Sequence, residues 1–199
     1  DMGPSAIRYA HLHQKLEELG YVLEDKGNIE VPIQETCSIT DTRLKYIDCI
    51  IPMGRRIAGA VATSIQGRRF PLVLGGDHSL SVGSIRGAAK HKKLGLIWVD
   101  AHADFNTPET TPSGNIHGMP LAALCGLGDP RLVCLWDEAA PALDPRRVAV
   151  IGARDLDPGE KRNLRAAGVM VQSMEQIDRI GMVTALEKAI DRISRDVDG

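Results

Sequence analysis

The sequence has no long apolar run and no strong charge of either sign, and both absences narrow its possible functions. No stretch approaches the roughly 18 to 20 apolar residues that a transmembrane helix needs. The formal net charge is -2 and no run is rich in Lys or Arg, so neither nucleic acid nor an anionic membrane is predicted as a partner. The N-terminus also lacks the basic and then apolar pattern of a signal peptide. We therefore expect a soluble, cytoplasmic protein that acts on a small molecule.

The four cysteines lack the spacing of a zinc site or of a disulfide framework. Cys37, Cys49, Cys125 and Cys134 are scattered along the chain and form no C-x-x-C pair. Thiols in a reducing compartment, buried or half-buried, are the expectation for all four.

Short apolar segments alternate with helical patterns along the 199 residues, a length that suffices for one sizeable core. Strands are predicted at 21–23, 70–74, 94–99, 148–151 and 169–171. Helices are predicted at 5–19, 41–65 (one helix, or two divided near Pro52), 79–91, 120–125 and 182–194, with another that begins at Asp157. Strands that alternate with helices predict a single α/β domain over residues 1–199, a three-layer α/β/α sandwich with a mainly parallel sheet.

The apolar segment 96–99 is followed by three side chains of the kinds that bind metals, at every second position: Asp100, His102 and Asp104. In an extended backbone alternate side chains point the same way, so these three groups would meet at the end of a buried strand. The pattern favours a metal site over the alternative, which is a polar loop that simply follows the strand.

A second histidine is expected at the same edge of the sheet. His78 lies in the segment Gly-Gly-Asp-His-Ser at 75–79, where the predicted strand 70–74 turns into a helix. Ligands of open α/β proteins usually bind at the carboxyl ends of the strands. A single histidine at such a position is more often a hydrogen-bonded loop residue than a metal ligand. Beside the aspartates and histidine of 100–104, His78 is predicted to be a fourth metal ligand.

The loop after these ligands is long and polar, which favours a function over a plain connection. It runs from 105 to 112 and leads into 113–120, where hydroxyl, amide and imidazole groups are flanked by glycines. These groups either line a polar pocket or satisfy the backbone of their own turn. Farther along, Asp157, Pro158 and Glu160 have the spacing of a helix start with a capping box.

The segments 75–79, 100–104 and 113–120, in this order, resemble the successive signatures of the ureohydrolases, the family of arginase, agmatinase and formimidoylglutamase. The segments 2–8 and 152–160 are more similar to the arginases, of bacterial type, than to the agmatinases. The resemblance implies an arginase-like fold and a hydrolase with two manganese ions (Mn²⁺) that cleaves L-arginine to L-ornithine and urea. It also implies self-association, as a trimer or a hexamer.

Residue roles follow from the same resemblance, motif by motif. The implied metal ligands, among which Asp100 would bridge the two ions, are His78, Asp100, His102 and Asp104. The residues implied to bind the substrate are Asn106, Thr111 and Ser113 at its α-carboxylate and Asp157 and Glu160 near its α-amino group. His117 matches the histidine that would relay protons, and it is counted with Asp104 as catalytic.

The family pattern continues with a Ser-x-Asp-x-Asp strand that supplies two further aspartate ligands. The segment 196–199 resembles this motif only superficially and is interpreted as a surface turn, because no apolar strand leads into it. We therefore expect the chain to lack the first strand and the C-terminal third of the family's domain. Two alternatives to an arginase stay open: an agmatinase, and a catalytically inactive fragment or interaction subunit with an incomplete metal site.

Overall fold

The structure, a computed structural model, describes residues 2–136 and 141–199. The strands are β1 (Leu96–Val99), β2 (Val148–Ala153) and β3 (Met170–Ser173). The α-helices are α1 (Gly3–Tyr9), α2 (Leu12–Glu18), α3 (Ile47–Gln66), α4 (Leu80–Ala89), α5 (Pro120–Leu124), α6 (Pro130–Val133), α7 (Pro158–Ala167), α8 (Met174–Ile180) and α9 (Met182–Ile193). Short 3-10 helices lie at Gln34–Thr36, Ile116–Gly118 and Pro145–Arg147.

The three strands form a parallel sheet in the order β1-β2-β3. Leu96 lies opposite Val148 and Val99 opposite Ile151, so β1 and β2 end at the same edge. Every residue of the central strand β2 is buried, which is typical of a parallel strand covered on both faces.

Helices cover both faces of this sheet. Trp98 and Val150 point into a cluster that includes apolar residues of α5 and α7. Their neighbours Ala149 and Ile151 point the other way, into a cluster with α8 and α9. This alternation follows from the two-residue period of a strand. The predicted three-layer α/β fold with a parallel sheet is confirmed.

Helices α3 and α4 pack with their backbones in close approach. A Cβ atom added to Gly83 would lie 2.4 Å from the carbonyl oxygen of Gly54, and one added to Gly87 would lie 2.4 Å from that of Ala58. Only glycine fits at these two positions of α4. Helix α3 is a single helix, because Pro52 lies in its second turn with its ring exposed and does not divide it.

Two predicted strands are wrong for the described part of the chain. The segments 21–23 and 70–74 pair with no other strand there, and Phe70 is 92% exposed. A strand needs a hydrogen-bonding neighbour, and of the described strands β1 pairs only with β2. An apolar run predicts a strand without saying which segment will pair with it.

The helices are predicted more accurately than the strands. The predicted helix 5–19 divides into α1 and α2 around His11, which has a left-handed backbone with φ 61°. The predicted helices at 79–91, 120–125 and 182–194 correspond to α4, α5 and α9.

The segment 196–199 is mostly exposed and begins with a turn, as predicted. Among the described helices, none is both long and apolar enough to cross a membrane.

Two of the four cysteines contradict the prediction of free thiols. Cys37 and Cys49 form a disulfide that joins the end of a 3-10 helix to the first turn of α3. Their Cα atoms lie 6.8 Å apart although 12 positions separate them in sequence, because the chain folds back between them. Cys125 and Cys134 are free, and Cys125 is buried.

Candidate metal centre

Three of the four predicted metal ligands meet at the carboxyl edge of the sheet. His78 lies two residues before α4, and Asp100 directly follows β1. The Nδ1 atom of His78 lies 2.9 Å from Oδ2 of Asp100 and 2.7 Å from Oδ2 of Asp104. One ligand atom from each of the three residues lies within 4.8 Å of the others. An imidazole and two carboxylates are thus placed to share one cation.

The geometry of Asp104 differs from the extended backbone that the alternation argument assumed. The chain bends at 100–102, and Asp104 has a left-handed conformation with φ 50°. Its carbonyl oxygen accepts a hydrogen bond from the backbone N–H of Leu121, 3.1 Å away, and its side chain is buried. The expectation of an extended backbone over 100–104 is wrong, and a bend brings the two carboxylates together instead.

His102 lies outside this group of three. Its Nδ1 atom is 3.5 Å from Oδ1 of Asp100, and its Nε2 atom is 3.6 Å from Oδ2 of Asp155. The side chain of His102 is 57% exposed. Asp155 was not predicted as a site residue, although it lies two positions before the predicted helix cap Asp157. The assignment of His102 as a metal ligand stays a prediction.

Electrostatics and packing hold the imidazole of His78. Its hydrogen bond to the carboxylate of Asp104 raises the pKa of His78, against the opposing effect of burial, and Asp100 adds to the increase. The ring packs against the indole of Trp98, with centroids 4.5 Å apart. Trp98 was missed as a site residue because an apolar strand residue carries no sequence signal of such a contact.

The predicted substrate loop is held together by its own hydrogen bonds. Asn106 donates from Nδ2 to Oδ2 of Asp157 over 2.9 Å, and its Oδ1 accepts from the hydroxyl of Thr110. The hydroxyl oxygen of Thr111 accepts from the N–H of Gly114, and that of Ser113 accepts from the N–H of Asn115. Both hydroxyl groups retain an O–H that is able to donate. Asn106 and Thr111 are buried, whereas Ser113 is exposed.

A second segment supports this loop from behind. Arg43 donates from Nη1 to the carbonyl oxygen of Thr111, and the N–H of Lys45 donates to the carbonyl oxygen of Gly114. Gly114 has φ 75°, and a Cβ atom there would lie 1.9 Å from the carbonyl oxygen of Thr42. The turn at 111–115 therefore requires glycine, and no motif in 42–45 predicted this contact.

Glu160 is buried, with 3% of its surface exposed, and both of its oxygens accept backbone hydrogen bonds. Oε1 accepts from the N–H of Phe105 over 2.9 Å, and Oε2 accepts from the N–H of Asp157 over 3.2 Å. The predicted capping box of α7 is formed. Burial raises the pKa of Glu160, although the hydrogen bonds from Phe105 and Asp157 oppose the increase.

His117 lies in the 3-10 helix before α5, with its side chain about half exposed. Its Nδ1 atom is 3.7 Å from Oδ2 of Asp77. The other oxygen of Asp77 accepts from the N–H of Ser79 over 3.0 Å, at the residue before α4. Asp77 was missed as a site residue, and its place in the motif at 75–79 is the signal that identifies it.

The chain matches a protein-family model described as the Arginase family over residues 1–199. It is 48% identical over 195 residues to the arginase of Bacillus subtilis strain 168, an alignment that covers 98% of this chain and 65% of that protein. It is 45% identical over 201 residues to the arginase of Bacillus caldovelox, covering 100% of this chain and 67% of that one.

The fold of this chain is also found in solved structures of other proteins. The native structure of the Bacillus caldovelox arginase superposes with a TM-score of 0.95 at 45% identity, over 100% of this chain and 67% of that one. The formimidoylglutamase of Bacillus subtilis superposes with a TM-score of 0.65 at 21% identity, which shows a shared fold alone. The chain spans about two thirds of the length of the curated relatives it matches. Because the family model matches the chain over its full length, the chain belongs to the arginase family.

Proposed function

We propose that the protein is a metal-dependent arginase, which hydrolyses L-arginine to L-ornithine and urea. The observation that supports this most is the convergence of His78 with the carboxylates of Asp100 and Asp104 at the carboxyl edge of the sheet. The arginase of Bacillus subtilis, at 48% identity, supports the choice of reaction within the family.

The donor set fits manganese. Carboxylates are hard oxygen ligands of the kind that Mn²⁺ prefers, and an imidazole raises the affinity for any divalent first-row metal. The two oxygens of Asp100 face different histidines, Oδ2 towards His78 and Oδ1 towards His102. Asp100 would therefore hold metal together with His78 and Asp104 through Oδ2, and together with His102 through Oδ1. Bound manganese would supply a hydroxide for attack on the guanidinium carbon by lowering the pKa of water.

The chain's own residues orient the substrate in this proposal. The hydroxyl oxygens of Thr111 and Ser113 accept hydrogen bonds from the loop backbone, which fixes their positions. Each hydroxyl still has an O–H that is able to donate to the α-carboxylate. Asp157 carries a negative charge that attracts the α-amino group, and its hydrogen bond from Asn106 fixes the carboxylate. Recognition of both groups places the guanidinium at a fixed distance from the metal ligands.

His117 is suited to move the proton that the leaving amine requires. Its side chain is partly exposed, so it exchanges protons with solvent, and imidazole is the side-chain group that most readily gains and loses a proton at physiological pH. In this role His117 donates a proton to the amine nitrogen of the departing ornithine and is reprotonated from water.

The test is urea release by this chain after incubation with Mn²⁺, with L-arginine and agmatine assayed in parallel. We expect urea from L-arginine, and its loss in Asp104→Asn but not in Asp178→Asn, which removes an exposed carboxylate on α8. Faster release from agmatine would contradict the choice of substrate, because Thr111 and Ser113 would then have no carboxylate to bind. Silence on both substrates would favour an inactive interaction subunit.

A further inference from the structure

Asp104 holds its carboxylate in place with a backbone conformation that few residues adopt. Its φ of 50° lies in the left-handed region, which is uncommon for residues other than glycine, although Asp tolerates it better than most. Such conformations persist when the surrounding structure fixes them. The groups that fix the backbone on either side of Asp104 therefore determine where its carboxylate points.

Three hydrogen bonds fix this backbone. The carbonyl oxygen of Asp104 accepts from the N–H of Leu121 over 3.1 Å, and the N–H of Asn106 donates to the carbonyl oxygen of Gly118 over 3.0 Å. Between them, the N–H of Phe105 donates to Oε1 of Glu160 over 2.9 Å. Of these three bonds, only the third depends on a side chain. A substitution at position 160 therefore removes this third bond while leaving the other two, and it also leaves the longer bond, of 3.4 Å, from Nδ2 of Asn163 to the carbonyl oxygen of Phe105.

The side chain of Glu160 is buried and both of its oxygens are already used as hydrogen-bond acceptors. Its second oxygen accepts from the N–H of Asp157, and only 3% of the residue is exposed. Its partner Phe105 is completely buried, so the N–H of Phe105 has no water to replace the carboxylate. The side chain thus joins the first turn of α7 to the loop that carries Asp104.

We propose that Glu160 is a positioning residue for the metal ligand Asp104, and that it does not contact the substrate's α-amino group. Glu160 holds the N–H of Phe105, which keeps Asp104 in its left-handed conformation and its carboxylate directed at His78. Recognition of the α-amino group then belongs to Asp157. This inference rests on the proposed function, because it takes Asp104 to be a metal ligand.

A simple helix cap would have different consequences from a positioning residue. The chain provides a matched control in the capping box of α8, where Gln176 accepts from the N–H of Ser173 over 2.9 Å. Gln176 occupies the same position in its helix as Glu160 does in α7, but it is exposed, and its hydrogen bonds with Ser173 stay within its own helix start. Loss of either side chain weakens a cap, and only loss of Glu160 frees the backbone next to a metal ligand.

The experiment compares Mn²⁺ affinity by titration calorimetry in the wild-type chain, Glu160→Ala, Glu160→Gln and Gln176→Ala. Removal of groups that orient metal ligands typically lowers affinity about 10-fold or more, which is the loss expected for Glu160→Ala. Glu160→Gln keeps one acceptor oxygen and is expected to lose less. Gln176→Ala is expected to bind Mn²⁺ as the wild type does.

Amide hydrogen exchange of Phe105, measured without metal, is the second measurement. We expect faster exchange of this N–H in Glu160→Ala and Glu160→Gln and no change in Gln176→Ala. If Glu160→Ala does not fold, Glu160→Leu, which also lacks an acceptor oxygen, takes its place in both measurements. Wild-type Mn²⁺ affinity and slow Phe105 exchange in a variant without the acceptor oxygen would overturn the positioning role. Failure of the wild type to bind Mn²⁺ would refute the proposed function and with it this inference.

Discussion

Asp104 is the most constrained of the three converging ligand residues. It is 5% exposed, its Oδ2 lies 2.7 Å from Nδ1 of His78, and its backbone is held in a rare conformation. A buried carboxylate requires a cation or hydrogen-bond donors, because an unpaired charge away from water is unfavourable. His78 meets part of this requirement, and a metal ion would meet the rest.

Removal of this charge is expected to weaken metal binding strongly. Asp104→Asn replaces an anionic oxygen ligand with a neutral amide at nearly constant volume. We expect a loss in Mn²⁺ affinity of about 100-fold, the upper end of what a supporting residue contributes. Titration calorimetry measures the loss, and Asp178→Asn on the exposed face of α8 is the control. Equal affinities in the two variants would contradict the assignment of Asp104.

The two free cysteines are expected to differ in reactivity. Burial raises the pKa of the Cys125 thiol to about 12, with a smaller effect from Asp144, so the thiolate hardly forms at pH 8. Cys134 is only partly buried. A colorimetric thiol reagent should label one thiol rapidly in the native chain and two in denaturant. Rapid labelling of the native Cys134→Ser variant would contradict this prediction.

The raised pKa of Cys125 also predicts how the stability of the fold changes at alkaline pH. The folded-state pKa of Cys125 lies above its usual value of 9.0, so the folded chain disfavours the thiolate. Stability is therefore unaffected well below pH 9 and falls as the pH rises above it, because only the unfolded thiol ionises there. The decrease should be smaller in Cys125→Ala, although that variant also loses buried volume.

Helices α3 and α4 are held at their short separation by two glycines. Gly87→Ala is expected to destabilise the fold by about 2 kcal/mol, because the new Cβ atom would lie 2.4 Å from the carbonyl oxygen of Ala58. Gly59→Ala in α3 is a matched control with no atom within 4 Å of the new Cβ, and it should stabilise by roughly 0.5 kcal/mol. Urea unfolding measures both, and a stable Gly87→Ala chain would show that the helices can separate at little cost.

The disulfide between Cys37 and Cys49 links the segment before α3 to the first turn of that helix. The bonded residues are 12 positions apart, and closing a loop of this size stabilises a fold by about 3 kcal/mol. We expect dithiothreitol to lower the melting temperature of the chain, measured by circular dichroism. The double variant Cys37→Ser, Cys49→Ser should already melt at the lower temperature and should not respond to the reductant. Melting that is insensitive to the reductant in both proteins would argue against the bond.

At the scale of the whole molecule, the site depends on segments that are distant in sequence. His78 precedes α4, Asp100 and Asp104 follow β1, and Glu160 belongs to α7. An unfolded chain does not hold these groups together, so a metal that binds them binds the folded state. Metal binding at the candidate site would therefore be coupled to folding.

This coupling predicts a rise in melting temperature on addition of MnCl₂. At a free concentration about 100 times the dissociation constant, binding to one site stabilises a protein by about 2.7 kcal/mol. For a chain of this size the melting temperature should rise by roughly 5 to 10 °C. A chelator should reverse the increase, and Asp104→Asn should not show it. An equal rise in Asp104→Asn would mean that the metal binds elsewhere.

Local signals in the sequence were enough for the helix starts, the buried strand β2 and the types of residue at the site. The capping box at Asp157 formed as predicted, and a second one is found at Ser173, because each joins groups three positions apart. The residue types of His78, Asp100 and Asp104 predicted a metal site before any geometry was known. Asp100 directly follows β1, whose carboxyl end lies at the same edge of the sheet as that of β2, and His78 lies shortly before α4.

Contacts between distant segments decided the remaining features, because their partners leave no local signal. The apolar run 70–74 does not become a strand in the described structure, since strand pairing depends on a neighbour. The disulfide, the left-handed turn at Asp104 and the bond from Phe105 to Glu160 each join groups whose proximity arises only on folding. The sequence therefore specified the chemistry of the candidate site, and tertiary packing determined its geometry.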